Sequence, residues 1–143
     1  MSVEFVAFSI LGGMILAALG IIYAVKRPKK LKSDRFIASW QELQGYCRDK
    51  ANWPQAITEA DRLLDAALKK RKLKGKTMGE RLVSAQRLLN DNDDTWFAHN
   101  LAKKVAAHGD ITLKESDVKD ALIGFRQALR DIGALPNGET NDK

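Results

Sequence analysis

At 143 residues the chain has room for about one compact domain beside any terminal segment, and its single cysteine, Cys47, excludes an internal disulfide and cysteine-based zinc spacing. The formal net charge of +6 is unevenly spread. Setting aside the six Lys/Arg of Lys26–Arg35 together with Glu4 and Asp34 leaves 18 bases against 16 acids, about +2, which makes no case for nucleic acid from charge alone.

The chain divides into residues 1–4, 5–25, 26–32, 33–133 and 134–143. Phe5–Val25 is uncharged over 21 residues. As a helix rising ~1.5 Å per residue it is about 31 Å long, the thickness of a bilayer's hydrocarbon core. Lys26, Arg27, Lys29, Lys30 and Lys32 follow at once, whereas the N-terminal flank has no cation. Basic residues are retained on the cytoplasmic side. The expectation is therefore a single-pass protein of the cell membrane: residues 1–4 outside, 5–25 a transmembrane helix, 26–32 a basic juxtamembrane linker against anionic headgroups, and the rest cytoplasmic. The run is too long for a signal peptide and lacks a basic region before it.

After residue 28 apolar residues recur at helical spacing and no strand pattern appears. A first helix is predicted over Ser33–Arg48, with Phe36, Trp40, Leu43 and Cys47 on one face. A second starts at Asn52-Trp53-Pro54, where proline is tolerated in the first turn. It turns Ile57, Ala60, Leu64, Ala67 and Leu68 inward and ends in the cations of Lys69–Lys76, stopped by Gly75. Thr77-Met78-Gly79-Glu80 has capping-box spacing and opens a third helix to Leu89. Asn90–Asp93 reads as a capping turn rather than a calcium loop. A fourth helix runs from Asp94 or Thr95 to His108, closed by Gly109. Thr112–Glu115 repeats the capping-box spacing before a fifth, with Val118, Leu122, Phe125, Leu129 and Ile132 on one stripe and Gly133 at its end. The tail, 134–143, is polar and expected to be disordered. The fold class is thus all-α: one transmembrane helix followed by a four- to five-helix up-and-down bundle over 33–133. Trp40, Trp53 and Trp96 are its expected aromatic anchors.

No nucleotide-binding glycine loop, metal cluster or Ser/His/Asp arrangement is visible, so no cofactor and no metal is expected. Polar function clusters on Trp96–His108. His99 and Lys103 are four apart, as are Asn100 and Lys104, so each pair shares a helix face. His108 beside Gly109 suits the helix C-terminus. Asp61 and Asp65, one turn apart with Arg62 between them, read as a solvated face. Lys69, Lys70, Arg71 and Lys72 form a cationic helix end that reads either as a solvated terminus or, joined to the Lys103-Lys104 face, as a surface for RNA or anionic lipid.

The chain also resembles a known family. Trp53 with Ala60-Asp61-Arg62-Leu63-Leu64-Asp65, then Gly75-Lys76-Thr77-Met78-Gly79-Glu80-Arg81-Leu82, then Trp96 with Ala98-His99, and a last helix ending Ala128-Leu129-Arg130-Asp131-Ile132-Gly133 carry the likeness. Together they resemble a bacterial family of small membrane-anchored helical proteins related to the HEPN superfamily (higher eukaryotes and prokaryotes nucleotide-binding). The resemblance implies a HEPN-like helical bundle. In active members it implies metal-independent RNA cleavage through an R-x(4–6)-H motif, the 2′-hydroxyl attacking the adjacent phosphate. Here the motif is not intact. Without gaps, Ala102 stands for the arginine, Lys103 for the polar residue and Ala107 for the histidine. A one-residue shift gives Lys103 and His108, and lysine lacks the bidentate fork of arginine.

The leading expectation is a HEPN-like bundle that acts by binding protein, a second copy of itself or RNA, without catalysis. The alternatives are a tethered ribonuclease using Lys103 and His108, and a structural oligomerisation anchor.

Overall fold

The computed structural model describes Met14, Ile15, Ala17 and residues 34–137. Five α-helices follow one another in the main block: α1 Asp34–Tyr46, α2 Trp53–Lys70, α3 Met78–Ala85, α4 Asn92–Ala107 and α5 Glu115–Asp131, with a 3-10 turn at Lys50–Asn52. No strand occurs among the described residues.

The second helix is the hub, packing against α1, α3, α4 and α5. Its inward stripe is the predicted one: Ile57, Ala60, Leu64, Ala67 and Leu68 are fully buried, with Ala56 beside them. Phe125 and Leu129 from α5, Ile132 at its C-cap and Leu82 from α3 complete the centre. Lys70 Nζ stands 6.0 Å from the Phe36 ring centroid, while Tyr46 shares a hollow with Glu59 and Leu63, so α1 and α2 are antiparallel. Along α5, Cys47 shares a hollow with Lys119, and Ile37 shares one with Leu135. Hence α5 also runs against α1, and α2 and α5 run the same way. In a simple up-and-down ring these two helices sit across a diagonal, but here they pack directly on each other.

The expected fold class needs correction. Among the described residues no helix is long and apolar enough to cross a membrane. Among the described residues the fold is an all-α bundle without the transmembrane helix expected to precede it, and the membrane and single-pass reading finds no support there. The physical reason is amphipathicity: even α2, 18 residues long, carries the charged residues Glu59, Asp61, Arg62, Asp65, Lys69 and Lys70 among its apolar ones. Phe5–Val25 lies outside the described residues except for Met14, Ile15 and Ala17, which are helical and exposed. The basic stretch 26–32 and residues 1–4 also lie outside them.

Several helix ends depart from expectation. The second helix stops at Lys70, well before Gly75. Lys72 N–H donates to Lys69 O (2.9 Å) and Leu73 N–H to Leu68 O (3.2 Å), a Schellman ending in which Lys72 takes the left-handed position at φ 58°. The same ending closes α5, with Gly133 at φ 82°. The third helix ends at Ala85, not Leu89, although Leu89 is still buried. The box at Thr77/Glu80 forms in full, whereas that at Thr112/Glu115 does not: Lys114 is the cap residue and its side chain makes no capping bond. Beyond α5, Ala134 and Leu135 are buried in the core rather than part of a polar tail, and 138–143 lie outside the described residues. Trp40 is buried, while Trp53 and Trp96 are half-buried against the core.

Candidate functional site

Two part-buried polar pairs form on the surface of α2 that reads as solvated in the sequence. His99 on α4 is buried, and its Nδ1 lies 2.8 Å from Asp61 Oδ1. A carboxylate only accepts, so the imidazole Nδ1–H donates. The Trp96 ring meets His99 edge-on, with centroids 5.9 Å apart. One turn along α2, Asp65 Oδ1 accepts from Arg81 Nε at 2.7 Å, and Lys69 Nζ stands 3.2 Å from Asp65 Oδ2. Burial pushes the Asp65 carboxyl up, but the hydrogen bonds and positive charges of Arg81 and Lys69 outweigh that and hold it below the usual aspartate value. Arg81 is buried and also donates from Nη1 to Gly75 O at 2.8 Å. Asp61 and Asp65 are thus tied to α4 and α3.

The other sequence candidates stay apart from these pairs. Asn100, Lys103 and Lys104 are exposed on α4. His108 is exposed and sits at the C-cap of α4 with extended backbone (φ −130°, ψ 90°), off the helical spiral that carries Lys103. Lys69, Lys70 and Lys72 are exposed and Arg71 is half-buried. Lys26, Arg27, Lys29, Lys30 and Lys32 lie outside the described residues. Among the described residues no group of three His, Cys, Asp or Glu can hold a metal ion. At the start of α4, repulsion from Asp91 first, then burial, Asp120 and Asp93, pushes the Asp94 carboxyl up.

A groove that sequence reading missed runs between α1 and α5. Trp40, Leu43, Leu122 and Ile123 line it, with Lys119 and Arg126 at its margins, and it encloses about 420 Å³. An adjoining hollow of about 230 Å³ shares Trp40, Gln44 and Arg126 and adds Arg130 and Leu135. No carboxylate lines either one. Ile123 is half exposed, and the buried Arg130 Nε has no hydrogen-bond partner among the described residues. The sequence hint is Lys119, Arg126 and Arg130 on one face of α5 at helical spacing, beside an apolar stripe that includes Leu122. A second hollow, between α1 and α2, holds charges of both signs, Arg35, Glu42, Glu59, Arg62 and Lys70.

Comparison with family models, with curated proteins and with solved structures finds no match for this chain.

Proposed function

We propose that the bundle is a HEPN-like module that works by binding, without catalysis, and that it takes a protein partner through the groove between α1 and α5. The observation that carries this reading is the groove's composition: an apolar floor walled by Lys119, Arg126 and Arg130, with no acid among its lining residues. An amphipathic helix with acidic flanks matches that surface, since its apolar face fills the floor and its carboxylates meet the cations. Against the ribonuclease alternative, His99 is buried on Asp61, and Lys103 and His108 are both solvent-facing with His108 off the helix. Neither lines the groove.

The test has two arms. The purified chain in chelator leaves single-stranded RNA intact, and cleavage lost on His108→Ala would overturn the reading. A helical Leu/Glu peptide binds the chain in fluorescence anisotropy, and Arg126→Glu weakens it about tenfold, ~1.4 kcal/mol. Equal binding by the variant removes the groove as the site.

A further inference from the structure

The hollow between α1 and α2 is charged differently from the groove: its two ends carry opposite sign. It encloses about 390 Å³, within the ~300–1,000 Å³ of small-molecule sites. Every residue that lines it belongs to one of these two helices, so their antiparallel packing fixes its layout. Phe36 and Leu43, both buried, and half-buried Leu63 supply its apolar lining. Ser39 and Ala66 are the small residues of its walls.

At one end Lys70 Nζ stands 6.0 Å from the Phe36 ring centroid, and Arg35, next to Phe36 in the chain, lines the same end. Glu59 lies about 16 Å away along α2, at ~1.5 Å per residue, and shares the far end with Glu42 and Tyr46. There Glu59 accepts from Arg62 Nη1 at 3.0 Å, so that end sets two acids against one base. Arg35 and Lys70 are two bases with no acid among the lining residues at theirs. Arg35, Lys70 and Glu42 have no ion-pair partner among the described residues. Arg35 and Glu42 are about 10 Å apart along α1, too far to pair with each other.

We propose that this hollow binds a short peptide with both termini free, its carboxylate at Arg35 and Lys70 and its amino group at Glu42. An extended tripeptide spans about 10 Å between its charged ends, the same distance that separates Arg35 from Glu42. Each terminus then meets the opposite charge, and the Arg35 guanidinium suits a carboxylate bidentately. The central side chain lies on the apolar lining, and the Ser39 hydroxyl serves the peptide backbone. The charged residues of this hollow are not among those lining the groove between α1 and α5, so the proposal does not rest on that reading.

The test is calorimetric titration of the full chain with alanyl-leucyl-alanine at low ionic strength. The tripeptide binds at one site per chain. Amidating its C-terminus or acetylating its N-terminus weakens binding at least about tenfold, ~1.4 kcal/mol. Leucyl-alanine, at about 7 Å, reaches one end only and loses a similar factor. Arg35→Gln and Glu42→Gln each weaken the free tripeptide, with helix content by circular dichroism unchanged. Amidation costs less in Arg35→Gln than in the parent chain, and acetylation costs less in Glu42→Gln. Absence of binding up to about 1 mM tripeptide overturns the proposal, as does equal binding of the capped forms. Binding that is lost on Arg126→Glu and untouched by Arg35→Gln also overturns it and puts the peptide in the groove between α1 and α5.

Discussion

Arg81 Nε sits 2.7 Å from Asp65 Oδ1 across 16 residues of chain, and the pair fastens α3 and the loop before it to the hub helix. The partners are unequal. The Arg81 side chain is 9% exposed, that of Asp65 21%, and Asp65 keeps Lys69 as a second partner. Asp65→Ala strands a buried guanidinium and costs about 3 kcal/mol. Arg81→Met leaves the carboxylate beside Lys69 and water, and costs about 1–2 kcal/mol. The Asp65 carboxyl is held below its ordinary value. Its contribution is therefore complete above the unfolded value of about 3.9 and is lost as pH falls through the lower folded value. Urea unfolding at neutral pH orders the two variants, and their penalties shrink below about pH 4. Equal penalties, or a pH-independent one for Asp65→Ala, contradict this account.

The Asp61–His99 bond predicts a different pattern. Asp61→Ala removes the acceptor from a buried imidazole N–H and costs about 1–3 kcal/mol, whereas Asp61→Asn retains a carbonyl acceptor and costs less. If Asp61→Asn unfolds the chain as readily as Asp61→Ala, the carboxylate's charge matters more than the hydrogen bond.

These pairs show where sequence reading stops. Period alone placed the five helices and the buried stripe from Ile57 to Leu68, because apolar spacing is a local property of the chain. Asp61, Asp65 and Arg81 look like ordinary surface charge in the sequence, since their partners lie 38 and 16 residues away on other helices. The groove escaped notice because it belongs to two helices that are distant in sequence. The capping box at Thr77 forms while that at Thr112 does not, so identical spacing is a necessary condition only.

The ends of α2 and α5 make a matched comparison. Lys72 and Gly133 hold the same left-handed position, at φ 58° and 82°. A side chain there costs about 1–2 kcal/mol, while glycine carries extra unfolded-chain entropy of about 0.4–1 kcal/mol. Lys72→Gly is expected to stabilise the bundle by about 0.5–1 kcal/mol, and Gly133→Ala to destabilise it by a similar or larger amount. Thermal unfolding of both variants checks the pair. A lower midpoint for Lys72→Gly shows that the lysine side chain contributes more at this end than its backbone strain removes.

Gly124 lies in the middle of α5, where helix propensity favours alanine by about 1 kcal/mol. Propensity alone therefore predicts that Gly124→Ala stabilises the chain. The packing argues the reverse. A Cβ at this position falls 2.7 Å from the Asp94 carbonyl oxygen and 3.5 Å from Ala98 Cβ, both on α4. The obstacle is backbone, in the first turn of a helix whose N-cap, Asp91, is bonded to the Asp94 amide at 2.9 Å, so no side-chain rotation clears it. The two helices must separate locally, opening the α4–α5 contact around the buried Ala98, Ala121 and Phe125. Overpacking of this kind costs about 1–3 kcal/mol, enough to outweigh the propensity gain. Gly124→Ala is accordingly expected to lower stability by about 1–2 kcal/mol in urea unfolding, with Gly124→Val worse. Gly45, on the exposed side of α1 with nothing within 4 Å of an added Cβ, is the control, and Gly45→Ala should raise stability by up to about 1 kcal/mol. If both alanine variants stabilise, α4 and α5 have room to part and the close approach at Gly124 is not what sets their spacing.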